Sequence, residues 1–199
     1  MRDQQTKMTS PKPVGSKIVM FLAIAMLLFA YTPANADQND PKLDKLFAAL
    51  QTSLSNASAA SLEREIWAIW TQYPDDQAIN YQMDRAIKMI DAGQLDDAEA
   101  MFSAIISRKP AFAEAWNKRA TVRFFRGDDA GSANDILQVI KLEPRHFGAL
   151  SGLGMIKVRE GDLQAALQAY RAAQRINPFL PNIDVIIDKL GQRLNGRAL

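Results

Sequence analysis

The side chains that could support catalysis are few in this sequence, and they do not form a set. The chain has no cysteine, and its single histidine, His146, follows Pro144 and Arg145 in a turn between two helical segments. Nucleophilic catalysis needs a nucleophile with a base beside it, and a zinc site needs several ligands at short spacing. Because His146 has no such companions, we interpret it as a surface or packing residue. The sequence predicts no catalytic residue, no metal ligand and no cofactor.

Carboxylate pairs and a glycine pair are the other groups that could suggest an active site. Gly152 and Gly154 lie inside a predicted helix, without the preceding strand that a phosphate-binding loop requires. The carboxylate pairs stand where helices are predicted to begin, and there capping and the helix dipole account for them. These pairs are Asp75 with Asp76, Asp96 with Asp97, and Asp128 with Asp129. We therefore predict that the protein is not an enzyme.

Trp67 and Trp70 lie three residues apart, beside Ile66 and Ile69. Two interpretations of this pair are open. An exposed pair of indole rings could stack on a sugar or an aromatic ligand. The helical periodicity of the neighbouring apolar residues instead favours core packing between the N-terminal helices and the first of the repeats that follow.

The first 36 residues have the order of a secretory signal peptide. Basic residues are followed by the uncharged apolar run 18–30, by Pro33 and by the small-residue sequence 34–36. Cleavage is predicted between Ala36 and Asp37, with export to the periplasm. The alternative is an uncleaved anchor in the inner membrane, although a spanning helix needs roughly 20 apolar residues. The basic residues are Arg2, Lys7, Lys12 and Lys17.

The charge of the predicted mature chain is nearly balanced. Residues 1–36 hold four of the 24 Lys and Arg residues and one of the 22 Asp and Glu residues, which leaves 20 basic and 21 acidic residues after cleavage. This balance gives no reason to expect nucleic acid or an anionic membrane surface as a partner. A membrane is expected as a partner only if the leader remains uncleaved.

Proline recurs at residues 110, 144 and 178, an interval of 34 residues. The segments that end at these prolines, Gln77–Pro110, Ala111–Pro144 and Arg145–Pro178, align without gaps. Each segment contains a glycine, which predicts the end of a first helix, because a helix often closes with a left-handed residue. The proline predicts the end of a second helix. These glycines are Gly93, Gly127 and Gly161. The pattern predicts three consecutive helical hairpins.

The three segments resemble the tetratricopeptide repeat (TPR) family, whose small and bulky residues recur at fixed positions of a 34-residue hairpin. The small residue of the first helix matches Ala86, Ala120 and Gly154. The small residue early in the second helix matches Ala98, Ser132 and Ala166. The bulky residue one turn later matches Phe102, Ile136 and Tyr170. The family's first-helix tryptophan is present only as Trp116. Small residues facing bulky ones let neighbouring helices approach closely.

The resulting fold class is all-α: an α-α superhelix, or TPR solenoid, of three hairpins between two flanking segments. Residues 37–76 predict a divergent helical hairpin that caps the front of the array. Asp40 is expected to cap its first helix, with Pro41 as the first helical residue. The apolar face of this helix comprises Leu43, Leu46, Phe47, Leu50 and Leu54.

Turn residues and apolar faces also predict the second helix of the N-terminal hairpin and a helix at the C-terminal end. The small residues Ser55–Ser61 predict a turn, and a second helix is expected over about Leu62–Tyr73. Residues 179–199 predict a last helix, with Pro181 in its first turn, that caps the other end of the solenoid. Its apolar face comprises Ile183, Ile186, Ile187 and Leu190.

The resemblance implies that the first helix of each hairpin lines a concave face that binds a protein or peptide partner. The candidate groove residues are Asn80, Met83, Ile87, Asn117, Thr121, Phe124, Ser151 and Met155. Core or intramolecular packing is the favoured interpretation for Phe124, because large apolar residues are mostly buried, and the N-terminal hairpin or the last helix could fill part of the groove. The alternative function is a structural protein that associates with itself or stays anchored in the inner membrane.

One TPR subclass grips a C-terminal carboxylate through cationic and amide side chains. The corresponding positions in this sequence are Met83, Ile87, Lys118, Gly148 and Gly152. Only Lys118 is cationic, so the charge-assisted hydrogen bonds that hold a carboxylate are largely missing. Recognition of acidic tails in the manner of cytosolic chaperone adaptors is therefore not expected.

Overall fold

A computed structural model of the chain describes residues 37–196, and the predicted signal peptide, residues 1–36, lies outside this range. The described part is all-α and contains nine helices and no strand. The helices are α1 (Lys42–Gln51), α2 (Asn56–Trp70), α3 (Gln77–Asp91), α4 (Leu95–Arg108), α5 (Ala113–Phe125), α6 (Asp129–Leu142), α7 (Phe147–Arg159), α8 (Leu163–Ile176) and α9 (Ile183–Leu194). Between residues 37 and 196, no helix combines the length and apolar character needed to cross a bilayer.

Helices α3 to α8 form three hairpins whose boundaries follow local sequence signals. The turn glycines Gly93, Gly127 and Gly161 have φ angles of 73°, 81° and 80°, a left-handed conformation that glycine adopts without steric cost. The second helix of each hairpin ends two residues before Pro110, Pro144 or Pro178. Aspartate side chains accept hydrogen bonds from backbone N–H groups at three helix starts. These caps are Asp76 to Ile79, Asp128 to Gly131 and Asp162 to Ala165.

Small residues bring the two helices of each hairpin together. Ala86 is buried in a cluster with Phe102, and Ala120 is buried in a cluster with Ile136, each a residue of the second helix of the same hairpin. In the third hairpin the helices approach so closely that a Cβ atom added to Gly154 would lie 2.7 Å from Cε2 of Tyr170. Apolar clusters between successive hairpins continue the core along the array.

Substitution of Gly154 by leucine should destabilise the protein, because the added side chain has no space against the buried Tyr170 ring. Overpacking of this kind costs about 1–3 kcal/mol. The matched control is Gly191→Leu in α9, where an added Cβ would meet nothing within 4 Å. Both changes gain the same helix propensity, so the difference in their free energies of unfolding in urea isolates the crowding. Equal stability of the two variants would contradict the close packing.

Helix α1 is shorter than the sequence pattern predicts, and α2 is longer. Leu54 lies beyond the end of α1 and its side chain is 100% exposed, so its assignment to the apolar face was wrong. The predicted turn at Ser55–Ser61 was also wrong, since Asn56 already begins α2. The physical reason is that the Ser55 hydroxyl caps the helix by accepting the Ser58 N–H, while the alanines that follow favour a helix.

From the sequence we expected the N-terminal hairpin α1–α2 to cap the front of the array. The structure shows that it does not. Its apolar face packs mainly against the third hairpin. The shared cluster combines nine buried residues: Leu43, Phe47, Leu50, Ala59, Ile66, Trp70, Phe147, Leu150 and Ala173. Hydrogen bonds join the same elements, from Gln51 to the carbonyl oxygens of Arg175 and Ile176 and from Asn177 to Glu63. The hairpin therefore lies against the start of α7, at Phe147, and against the end of α8, at Ile176.

Helix α9 packs on α8 with the apolar face predicted for it. Ile183 and Leu190 are buried there, and Ile186 and Ile187 pack beside them. Pro181 does not lie in the first turn of this helix; it precedes Asn182, the N-cap residue, whose φ angle is 58°.

Candidate functional site

A pocket lies between the first helices of the second and third hairpins, α5 and α7, and α6 forms its floor. Its volume is about 180 Å³. Five of the eight candidate groove residues line it: Asn117, Thr121, Phe124, Ser151 and Met155. The structure thus brings together the candidates from two of the three hairpins.

The three candidates from the first hairpin lie elsewhere. Asn80 forms two hydrogen bonds with the backbone of Tyr73, at 2.7 Å to its N–H and 3.0 Å to its carbonyl oxygen, and so fixes the turn that enters α3. Met83 is completely buried in the cluster between the first two hairpins, and Ile87 packs against the same cluster. In this structure, Met83 is not accessible to a ligand.

The pocket walls are apolar, with a few uncharged polar groups. Phe125, Ile136 and Met155 contribute apolar surface, and none of the described residues that line the pocket is charged. The Thr121 hydroxyl donates to the carbonyl oxygen of Asn117, 3.0 Å away. The Ser151 Oγ atom is buried and has no hydrogen-bond partner. A ligand with a polar group at this point would satisfy it.

Phe124 lines the pocket, and its ring makes a cation–π contact with Arg159. The guanidinium of Arg159 lies 3.7 Å from the centroid of the Phe124 ring. Asp129 fixes the same guanidinium through a hydrogen bond of 2.6 Å. The ring therefore presents a wall of defined orientation.

Helix α2 packs against Gly148, one of the residues that line the pocket. Gly148 lines the pocket and also touches the Trp67 ring, since an added Cβ would lie 2.7 Å from the Cη2 atom of Trp67. The ammonium group of Lys118 lies 5.3 Å from the centroid of the Trp67 ring. The single cationic side chain among the carboxylate-gripping positions therefore faces an indole ring of the protein itself.

Beneath Trp67 and Trp70 lies a buried polar network that sequence reasoning missed. The Oε2 atom of Glu114 accepts hydrogen bonds of 2.9 Å from Nδ2 of Asn117 and from Nε2 of His146. The Oε1 atom lies 3.2 Å from the ammonium group of Lys118. Burial alone would raise the pKa of Glu114, but the Lys118 charge and the two hydrogen bonds outweigh burial and hold that pKa below its ordinary value.

His146 is completely buried and caps α7. Its Nδ1 atom accepts the N–H of Ala149 at 3.1 Å, so the ring proton resides on Nε2 and is donated to Glu114. The imidazole stacks on the Trp70 ring, with centroids 4.1 Å apart and planes 9° apart. The sequence left open whether His146 is a surface residue or a packing residue, and its complete burial shows that it is a packing residue. Its position just before a predicted helix start is the signal that indicates a cap.

Buried polar atoms without a hydrogen-bond partner occur both at the hairpin interface and at the pocket. Within residues 37–196, Trp70 Nε1 and Ser151 Oγ are buried without a hydrogen-bond partner, whereas Glu114 Oε1 has the Lys118 ammonium group 3.2 Å away. Such atoms are rare in native proteins, and leaving one unsatisfied costs about 1–3 kcal/mol. No group of three His, Cys, Asp or Glu residues within the described range is arranged to hold a metal ion.

An array of helical hairpins with a pocket between successive first helices defines a helical-repeat scaffold. The tetratricopeptide repeat family model matches residues 84–139 and 119–181. The chain is 34% identical over 155 residues to a TPR repeat-containing protein of Rhizobium etli, a match that covers 78% of this chain and 76% of that protein. The chain belongs to the tetratricopeptide repeat family, whose fold generally serves protein interaction without catalysis.

Solved structures show the same fold at low sequence identity. The first TPR domain of Spaghetti (RPAP3), bound to an HSP90 peptide, is 19% identical with a TM-score of 0.58 and covers 61% of this chain and 96% of its own. The type III secretion chaperone SycD of Yersinia enterocolitica, in complex with a peptide of the translocator YopD, is 11% identical with a TM-score of 0.57 and coverages of 60% and 97%. MamA is 16% identical with a TM-score of 0.56 and coverages of 71% and 79%.

Proposed function

We propose that this protein is a non-enzymatic interaction scaffold, exported to the periplasm, that binds a protein or peptide segment in the pocket between α5 and α7. The observation that carries the proposal is the pocket itself, which combines the exposed side chain of Met155 with the unsatisfied hydroxyl of Ser151. The peptides bound to Spaghetti and SycD support this mode of binding for the fold.

The size and chemistry of the pocket narrow the class of ligand. A volume of about 180 Å³ lies below the ~300 Å³ at which pockets for drug-sized ligands begin. It is close to the ~150 Å³ of a cavity that accepts benzene. The pocket therefore suits one uncharged, ring-sized side chain of a peptide, and the Ser151 hydroxyl could bond to the peptide backbone. A carboxylate would be desolvated there without a free cation to compensate.

A photo-crosslinking side chain at Met155 tests this proposal in cells that produce the chain. We expect a discrete adduct with one partner from Met155, because its side chain is 45% exposed at the pocket. The matched control is Val185, which is 50% exposed on α9 and does not line the pocket. Adding Gly152→Leu, which fills the pocket, should lower the Met155 adduct at least tenfold, a loss of about 1.4 kcal/mol.

The same experiment tests export. The captured chain should be recovered from the periplasmic fraction with an intact mass that begins at Asp37. Recovery in the membrane fraction with residues 1–36 attached would instead support the anchored alternative. Identical adducts from Met155 and Val185, or an adduct that Gly152→Leu leaves unchanged, would contradict binding in the pocket.

A further inference from the structure

The hydrogen bonds and ring contacts that hold the α1–α2 hairpin in place are made with distant parts of the chain. Gln51 donates to the carbonyl oxygens of Arg175 and Ile176, 124 and 125 residues away. Trp67 and Trp70 pack on His146 and Phe147, with ring centroids between 4.1 and 5.5 Å apart. The hairpin is therefore docked as a separate module on the second and third hairpins.

One short link connects this module to the first repeat. It spans residues 71–76 and includes Pro74 and Asp75, whose φ angle of 56° is left-handed. Non-glycine residues rarely adopt this conformation, although aspartate tolerates it better than most. If the link straightened, six residues could span about 20 Å. Straightening would release the conformation at Asp75, at the cost of the two hydrogen bonds between Asn80 and the Tyr73 backbone.

The interface between the hairpin and the repeats contains an unpaired polar group but has a close steric fit. Trp70 Nε1 is buried there without a hydrogen bond. The fit is nonetheless close, because Gly148 leaves room for the Trp67 ring and for no side chain of its own. Among the described residues, the α2 face that carries Trp67 and Trp70 is the one element seen to fit this surface.

We propose that the α1–α2 hairpin is exchangeable, and that the surface around Gly148 and His146 accepts the hairpin of a second copy of this chain. All contacts across the interface would be remade in the exchanged form, so only the link conformation and the entropy of association differ between the two forms. Reciprocal exchange closes a symmetric dimer. In that dimer, Trp67 of one copy would contact Gly148 of the other, a residue that lines the α5–α7 pocket.

Two complementary variants test the exchange. Gly148→Trp blocks the docking surface and leaves the hairpin intact. The double variant Trp67→Ala, Trp70→Ala disables the hairpin and leaves the docking surface intact. Each variant should sediment as a monomer when alone. Mixed at equal concentration, they should form a one-to-one heterodimer, because the intact hairpin of the first occupies the intact surface of the second. A mixture that stays monomeric overturns the proposal.

The control for the blocking variant is Gly191→Trp, since an added Cβ at Gly191 meets nothing within 4 Å. This control keeps its own surface occupied by its own hairpin, so it should not form heterodimers with the double variant. Heterodimers of equal yield with this control would show unrelated association and would also overturn the proposal. Circular dichroism of each variant establishes that its helices are intact.

A second variant leaves the interface untouched and covers the case in which Gly148→Trp does not fold. Deleting Pro74 and Asp75 leaves four residues in the link, which span at most about 14 Å, and this should disfavour folding of the hairpin back on its own chain. We expect this deletion variant to be dimeric at micromolar concentration, with the amide exchange of α2 as slow as in the wild type. A monomer with a protected α2 would contradict the exchange.

Discussion

Replacing Glu114 by alanine should lower the free energy of unfolding by about 3–5 kcal/mol, the range found when one partner of a buried charged pair is removed. The carboxylate is buried, and its Oε2 atom accepts hydrogen bonds from Asn117 and His146. Without it, both donors are buried without an acceptor, and Lys118 loses its counter-charge. Urea unfolding followed by circular dichroism measures the effect. A loss below 1 kcal/mol would contradict the central position that we assign to this network.

The conservative variant Glu114→Gln separates the charge of this side chain from its shape. The pKa of Glu114 lies below its ordinary value of 4.5 in the folded protein, so the ionised form stabilises the fold at neutral pH. That contribution is present above pH 4.5 and declines as the pH falls further, toward the folded pKa. The stability difference between wild type and Glu114→Gln should therefore narrow between pH 7 and pH 3. A difference that is constant with pH would exclude the charge as its source.

Replacing Trp70 by alanine should cost about 3–5 kcal/mol, as is usual when a buried aromatic side chain is truncated. The ring stacks on His146 and contacts Trp67, Phe147 and Phe47, with centroids within 5.9 Å. Its loss removes the centre of the cluster that holds the hairpin on the third repeat. We expect amide exchange in α1 and α2 to accelerate selectively, because these helices open while the three repeats stay folded.

Trp70→Phe is the control for this change. It keeps a ring against His146 and removes the indole N–H, which is buried without a partner, and an unsatisfied buried donor costs about 1–3 kcal/mol. The phenylalanine variant should therefore lose less than half as much stability as the alanine variant. If the exchange of α5 and α7 accelerated as much as that of α1 and α2, the hairpin would be part of one cooperative core.

The repeat array could be predicted from sequence because its determinants are local and periodic. The spacing of Pro110, Pro144 and Pro178 and the glycines before them fix helix ends through backbone geometry that does not depend on the rest of the fold. The close approach at Gly154 also follows from the pattern of small and bulky residues. Membership of the family and the all-α superhelix are confirmed by the comparisons and by the structure.

The N-terminal hairpin could not be placed from sequence, because its docking depends on contacts between distant residues. Nothing local to Trp70 indicates that it stacks on His146, and no repeat position marks Gly148 as the space for Trp67. The amphipathic pattern predicts that a helix has an apolar face but not which surface covers it. For the same reason, the buried state of Met83 was missed, since its repeat position alone indicates a surface residue.

The docking of the first hairpin on the third repeat sets an order of events during synthesis. Plain repeat arrays fold through contacts between neighbours and can grow from one end. Here Trp70 is made about 75 residues before the His146 on which it stacks, a delay of about 4–15 s at ~5–20 residues per second. During this interval the apolar face of α2 has no docking surface. The N-terminal end of the described fold is therefore completed after its middle, and closing these long loops should make it the slowest part to form.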